Sequence, residues 1–533
     1  MKVLVRNTSI VLQDYTLGEY PELERYFTLY DPMTHSYNIM GMKYDEDKRE
    51  LYLPRGMDTR LLQMFLDNDG DMQVEYNSDP YEKTQPIAIK YLPRDDVQKE
   101  ALEFVLGKGS YYNNNNHTQL SLNLRTGKGK TYVAIAALSY LSVKSIIIAT
   151  NKEWLVQWKN CFTEYTNISE KEVLIIQGSV GIFKILKGIT DVSKYKTFMI
   201  THSSLHSFGT AHGWDLVTEL FKKLKVYMKI FDEAHLNFSN IVDVDFATNT
   251  KKTLYLTATP ARSDKSENFI YNIYFKNVPA IDLFDADTDP HTRYNAIKFS
   301  SFPTPQEKQG IFNNTYGINR NAYTNYIVKK QQFYDMMYIL MNKILHIQGK
   351  VLLYIGTNKA ILVLKDWIEE NYPELKNDVG VFTSFIPADK RKSQLDKRVI
   401  LTTTKSAGAA VDIKGLKASF VIAEPFKSEV LAVQTFGRTR DNNTDYYELV
   451  DVGFNQLSKF YQAKKPIFRK YATSCREFKI NYNDLVEISN NLKAERDSVK
   501  EQYNGNCPFI IYGNPGKKWF LEKHIFNMVF KER

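Results

Sequence analysis

The feature that most restricts the fold is a repeated alternation of two kinds of segment. Between Tyr91 and about Leu283, short β-branched runs ("SIIIAT", "TFMITH", "VYMKIF", "TLYLTAT") alternate with amphipathic helical stretches. Runs this apolar suit strands buried on both faces, and strands separated by helical text pair in parallel through crossover helices. A second such block begins near Tyr334, with strand candidates "GKVLLYIGT", "KRVILTTT" and "ASFVIAEPF". The expected class is therefore α/β, two parallel-sheet domains in tandem. Ahead of them, residues 1–88 mix short alternating stretches with one helical run and close in the turn-rich "YNSDPYEKTQP", which predicts a small α+β domain and a linker. After Asp451 the strand signals fade into basic helical text. The expected boundaries are 1–88, 89–295, 296–453 and a mainly helical extension, 454–533.

The chain has 533 residues, 43% hydrophobic and 25% charged, the composition of a soluble protein too long for one core. Its net charge of +9 permits a polyanionic partner without requiring one. Cys161, Cys475 and Cys507 lie far apart with no C-x-x-C pair, so no zinc site or disulfide framework has spacing support. The N-terminal "MKVLVRNTSIVLQDYTL" lacks a signal peptide's apolar core, and no run approaches bilayer length. A cytoplasmic protein with no membrane partner is expected.

The stretch "LNLRTGKGKTYVAIAAL", Leu122 to Leu138, partly fits the phosphate-loop pattern G-x-x-x-x-G-K-[ST]. Leu124 occupies the first glycine position, while Gly129, Lys130 and Thr131 close the pattern. Such a loop uses glycines to bring backbone N–H groups to phosphates, a lysine to reach the β and γ oxygens, and a hydroxyl to hold Mg²⁺. Gly127, Lys128, Gly129, Lys130 and Thr131 are thus the candidate ATP-binding residues. Downstream, "KIFDEAHL" puts Asp232 and Glu233 at the C-terminal end of a predicted strand, where ligands of parallel sheets sit. Asp232 suits Mg²⁺, with Thr131, and Glu233 suits the attacking water. "YLTATPAR" then supplies Thr257 and Thr259 after another strand. Each short motif alone also describes an ordinary surface turn; their combination favours nucleotide chemistry.

In this order and spacing the three resemble motifs I, II and III of the superfamily 2 helicases and translocases. Gln98 in "DDVQKEAL" is similar to that family's adenine-reading glutamine, and "IIIATNKEWLVQW" and "MITHSSL" are similar to its motif Ia and the segment after it. In the second block "KVLLYIGTNKA", "TTTKSAGAAVDIKGL" and "QTFGRTR" resemble motifs IV, V and VI. The resemblance, covering about Tyr91 to Val452, implies two RecA-like domains, ATP and Mg²⁺ as cofactors, and an arginine finger at Arg438 or Arg440. It implies coupling roles for Thr257, Thr259 and Gln434 and a relay role for Asp412. Three departures stand out: Leu124 for Ala or Gly, Ala410 for Gly, and a second motif VI arginine one residue early.

Together with the small leading domain, "NLRTGKGKT" looks most like the UvsW-type helicases of tailed phages, which act on branched DNA, D-loops and R-loops. That narrower resemblance implies a monomeric phage protein in bacterial cytoplasm with DNA, and recombination or replication proteins, as partners. Thr150, Lys152, Trp154, Thr201, Thr357 and Thr403 are the candidate nucleic-acid contacts, since a motor grips phosphates through strand-end amides, hydroxyls and cations. Trp154 and Trp158 are four apart on a predicted helix, where core packing competes with base stacking. The alternatives are a double-strand translocase that separates no strands, an RNA-directed member of the superfamily, a terminase motor and an inactive nucleic-acid binder. The terminase lacks support because "QTFGRTR" stands where a nuclease domain would come, and intact Lys130, Thr131, Asp232, Glu233 and Arg438 argue against inactivity.

Overall fold

A computed structural model describes residues 2–31, 36–39, 41–57, 62, 64–65, 73–124, 127–234, 238–257, 265–283, 292–313, 317–407, 413–439 and 443–502. The chain forms two compact units, Met1–Asp287 and Thr288–Arg533.

In the first unit a seven-stranded, all-parallel sheet runs in the spatial order Val173–Ile175, Thr197–Thr201, Ser145–Ala149, Met228–Phe231, Lys252–Thr257, Gln119–Asn123, Ala280–Asp282. Its central strands are buried along their whole length, as the β-branched runs require. Numbered along the chain, the strands lie in the order 3-4-2-5-6-1-7. The second unit holds another seven-stranded parallel sheet: Val379–Phe382, Val399–Thr402, Lys350–Ile355, Leu416–Ala423, Thr444–Asp451, Thr292–Phe299, Ser474–Lys479. Numbered the same way, it has the same order, 3-4-2-5-6-1-7. These are two tandem RecA-like domains, the class expected from the sequence.

The N-terminal sheet has five strands in the order Lys43–Asp45, Glu50–Pro54, Ser9–Gln13, Lys2–Val5, Gln73–Tyr76. Val3, Ile10, Leu12, Leu51 and Leu53 form its core with Leu23 and Phe27, and Ile273 of the neighbouring α/β region joins them. Its turn is bonded into that region: Thr118 Oγ1 donates to Asn7 O at 2.6 Å, Asn7 N to Asn249 Oδ1 at 2.7 Å, and Thr8 Oγ1 to Asp245 O at 2.8 Å. The expected linker is likewise tied down, with Glu82 N donating to Lys225 O at 3.0 Å and Thr84 N to Ser142 O at 2.8 Å. Turn-rich text signalled chain direction changes, but its backbone groups found partners on the α/β region.

The second unit begins before the strand Thr292–Phe299, which the expected 295/296 boundary would cut. The C-terminal region is mainly helical, Asn455–Tyr471 and Tyr482–Gln502, and adds the strand Ser474–Lys479 beside Thr292–Phe299. Only Phe478 of that strand is buried, so its sequence "SCREFK" carries little apolar alternation. Among the described residues, no helix is long and apolar enough to cross a membrane.

Candidate nucleotide-binding site

The phosphate loop leaves the strand Gln119–Asn123 through Leu124, which is fully buried and donates its N–H to Thr257 O at 3.1 Å. A large apolar side chain in the first glycine position is accommodated because it points into the core. Arg125 and Thr126 lie outside the described residues. Gly127 and Gly129 have φ of +86° and +91°, left-handed values that favour glycine. Gly129 is the residue before the helix Lys130–Leu141, and a Cβ there would stand 2.3 Å from Gln98 Nε2. Gln98, on the helix Asp96–Leu106, is buried; its Nε2 donates to Lys128 O at 3.1 Å and its Oε1 accepts from Arg94 N at 2.9 Å. The glutamine therefore braces the loop that bears Gly129. Thr131 is half-buried in the first helical turn.

Lys130 Nζ lies 3.0 Å from Glu233 Oε1, and both side chains are nine-tenths buried or close to it. This pair spans the loop and the acidic turn, which comes directly after the strand Met228–Phe231. The turn is pinned from both sides, Asp232 N donating to Ile148 O at 2.9 Å and Ala234 N to Leu256 O at 2.8 Å. Glu233 has φ +50°, a left-handed conformation that costs a non-glycine residue about 1–2 kcal/mol. Such strain is held in place by the surrounding hydrogen bonds. Asp232 Oδ2 accepts the indole N–H of Trp158 at 2.7 Å. Burial, then the neighbouring Glu233 charge, pushes the Asp232 carboxyl up to about 6, while Trp158 and Lys130 oppose the rise.

The residues fit a magnesium nucleotide. Glycine N–H groups and Lys130 suit phosphate oxygens, while Thr131 and Asp232 are hard oxygen ligands of the kind Mg²⁺ takes one or two at a time. Among the described residues no cluster of three or more His, Cys, Asp or Glu is placed to hold a metal by itself.

Of the other expected residues, Thr257 is buried at a strand end; Thr259, Asp412 and Arg440 lie outside the described residues. Gln434 and Arg438 are buried in the second unit, and the Arg438 charge acts on Tyr354. Lys152 is exposed and Thr150 half-buried at the start of the helix Lys152–Tyr165, whereas Trp154 is 5% exposed. Its indole is packed inside rather than offered to a base. Thr201 and Thr357 cap helices through Ser204 N and Ala360 N, both at 3.2 Å, and Thr403 Oγ1 accepts from Ser406 N at 3.1 Å. These hydroxyls fix helix starts at strand ends. Sequence reasoning gave Trp158 no role toward Asp232; the signal available was its place on the helix after the motif Ia strand.

Residues 91–262 match the family model described as "Type III restriction enzyme, res subunit". The chain is 26% identical over 147 residues to a Rad25 protein of Haloarcula marismortui, covering 28% of this chain and 21% of that one. It is 28% identical over 150 residues to "DNA 3'-5' helicase XPB" of Mycobacterium tuberculosis, covering 28% of this chain and 25% of that one. The matched region thus spans a quarter or less of these relatives. A crystal structure of T4 UvsW aligns over 90% of this chain and 99% of its own, at 14% identity and a TM-score of 0.34. The family-matched region of this chain, Tyr91 to Arg262, holds the glycine loop, the Lys130–Glu233 pair and Asp232.

Proposed function

We propose that the chain is an ATP-dependent DNA motor of the superfamily 2 helicase type. The observation that carries the reading is the buried Lys130–Glu233 pair, set beside Asp232 and a loop with left-handed glycines. Bound Mg²⁺-ATP would supply the phosphoanhydride whose cleavage drives movement. Lys130, leaving Glu233, would neutralise phosphate oxygens, and Thr131 and Asp232 are the residues that would hold the metal. Glu233, released from its cation, orients the attacking water and accepts its proton. Exchange of Lys130 between carboxylate and phosphate makes the base available only when the loop is filled. Arg438 or Arg440 supplies positive charge as phosphoryl transfer proceeds.

DNA as the track is supported by the name of the XPB relative. The finer reading is remodelling of forks, D-loops, R-loops and four-way junctions by a monomeric phage protein in the bacterial cytoplasm. It rests on the UvsW-type resemblance of "NLRTGKGKT" and the small leading domain. The test is ATP hydrolysis measured with single-stranded, duplex, forked, four-way and RNA/DNA hybrid substrates, with Lys130→Ala as control. Strongest stimulation by branched DNA is expected; no stimulation by any substrate would sink the motor reading. Triplex displacement without strand displacement would replace it with double-strand translocation.

A further inference from the structure

Trp158 sits on the helix Lys152–Tyr165, 2% exposed, with Phe162 against its ring. An indole has a single donor and no acceptor. Here that donor goes to a carboxylate 74 residues away, Asp232 Oδ2 at 2.7 Å, rather than to a nearby backbone carbonyl. Hydrogen bonds to ionised acceptors are roughly twice as strong as neutral ones, and they fix direction as well as distance. The same helix opens at Asn151, whose side chain accepts from Trp154 N at 3.0 Å, and exposes Lys152 at its first position. One rigid element therefore carries an exposed strand-end surface at its start and a bond to Asp232 one and a half turns later.

We propose that Trp158 is a positioning residue for Asp232: its N–H sets the rotation of the carboxylate for Mg²⁺ and links the helix Lys152–Tyr165 to the nucleotide site. The proposal rests on the reading of Asp232 as the magnesium carboxylate. A displacement of the helix start, as by DNA held at Thr150 and Lys152, turns the helix and with it the indole. Partners that orient a metal ligand cost tenfold to a hundredfold in metal affinity when removed.

Trp158→Phe keeps a ring and removes the donor. Trp154→Phe makes the same change on the same helix at a site 5% exposed, and is the packing control. Binding of a fluorescent ADP is titrated with Mg²⁺ in the full-length chain. Trp158→Phe should raise the Mg²⁺ needed for half-maximal tightening by about tenfold, with metal-free ADP affinity within about twofold of wild type. Its DNA stimulation of hydrolysis should fall as well. Trp154→Phe should leave the Mg²⁺ requirement unchanged. Equal shifts in both variants, or a change confined to thermal stability, would overturn the proposal. If Trp158→Phe does not fold, wild-type chain labelled with 5-fluorotryptophan gives the answer. Its five tryptophans are assigned by replacing the other four singly. A Mg²⁺-dependent shift of the Trp158 resonance at saturating ADP supports the link, and its absence refutes it. Because the ADP titration needs no turnover, a wild type that hydrolyses no ATP would refute the motor reading while leaving this test intact.

Discussion

At matching strand ends the two sheets use their residues in opposite ways. In the first, strand one runs into the glycine loop, and strand five into Asp232 and Glu233, whose partners are side chains, Trp158 and Lys130. In the second, strand one runs into Ser301, whose N–H and hydroxyl both donate to Asp451 at the end of strand six, at 3.1 and 2.5 Å. Gly453 N donates to the same carboxylate at 2.9 Å. After strand five, Glu424 accepts from Thr404 N and Oγ1 at 2.8 and 2.6 Å. Chain groups thus satisfy the second sheet's carboxylates where the first offers a loop shaped for phosphate. One strand order serves both, so the chemistry is set by the loop at the end of each strand and not by the topology.

Lys130→Ala tests the first half of that contrast and carries the largest expected effect. DNA-stimulated phosphate release should fall roughly a thousandfold, in the range of losing preorganised transition-state donors. Replacing Arg438 and Arg440 separately should cost one of them roughly a hundredfold in turnover with nucleotide binding retained, and the other little. Asp451→Ala attacks the second half. It should lower stability by about 2–3 kcal/mol, read as a thermal midpoint, with nucleotide affinity unchanged. Gly129→Ala and Gly415→Ala compare two left-handed glycines, φ +91° and +77°. A Cβ at Gly415 meets nothing within 4 Å, so only the backbone cost of about 1–2 kcal/mol is expected there. At Gly129 the clash with Gln98 should add a loss of ADP affinity, measured by fluorescence titration.

The smallest effect is a pH dependence at the rim of the second sheet. Burial would raise the Glu477 carboxyl, but hydrogen bonds from Lys298 and Lys465 outweigh it and hold it at about 2. A depressed carboxylate stabilises the fold above its unfolded pKa, about 4.3, and the contribution is lost as pH falls toward 2. Glu477→Gln should therefore cost about 1 kcal/mol at pH 7, after allowing for solvent screening, with the difference shrinking as pH falls through about 2. Thermal midpoints across that range check the sign.

Strands written as an unbroken apolar run were legible because their signal is local, whereas the eight-residue Thr292–Phe299 and Thr444–Asp451, with polar residues interspersed, were not singled out. "SIIIAT", "TFMITH", "VYMKIF", "TLYLTAT", "GKVLLYIGT", "KRVILTTT" and "ASFVIAEPF" all contain strands of the two sheets. Short edge strands such as Val173–Ile175 and Ala280–Asp282, and likewise Ser474–Lys479, have too few buried positions to show a period. In the site, glycine, lysine and acidic residue types marked Lys130, Asp232 and Glu233. Trp154 was misleading as a nucleic-acid contact because an aromatic near a strand end reads alike whether it faces solvent or the core.

By itself the sequence determined two α/β blocks, a glycine loop closing on Lys130 and an acidic pair at a strand end, since residue type and spacing within a few positions specify each. Only the tertiary structure decided that both sheets share one strand order, that Leu124 is buried with its N–H on Thr257, that Lys130 meets Glu233, and that Trp158 holds Asp232. Each of these joins groups far apart in the chain, and a hydrogen bond between distant residues leaves no period in the text on either side of it.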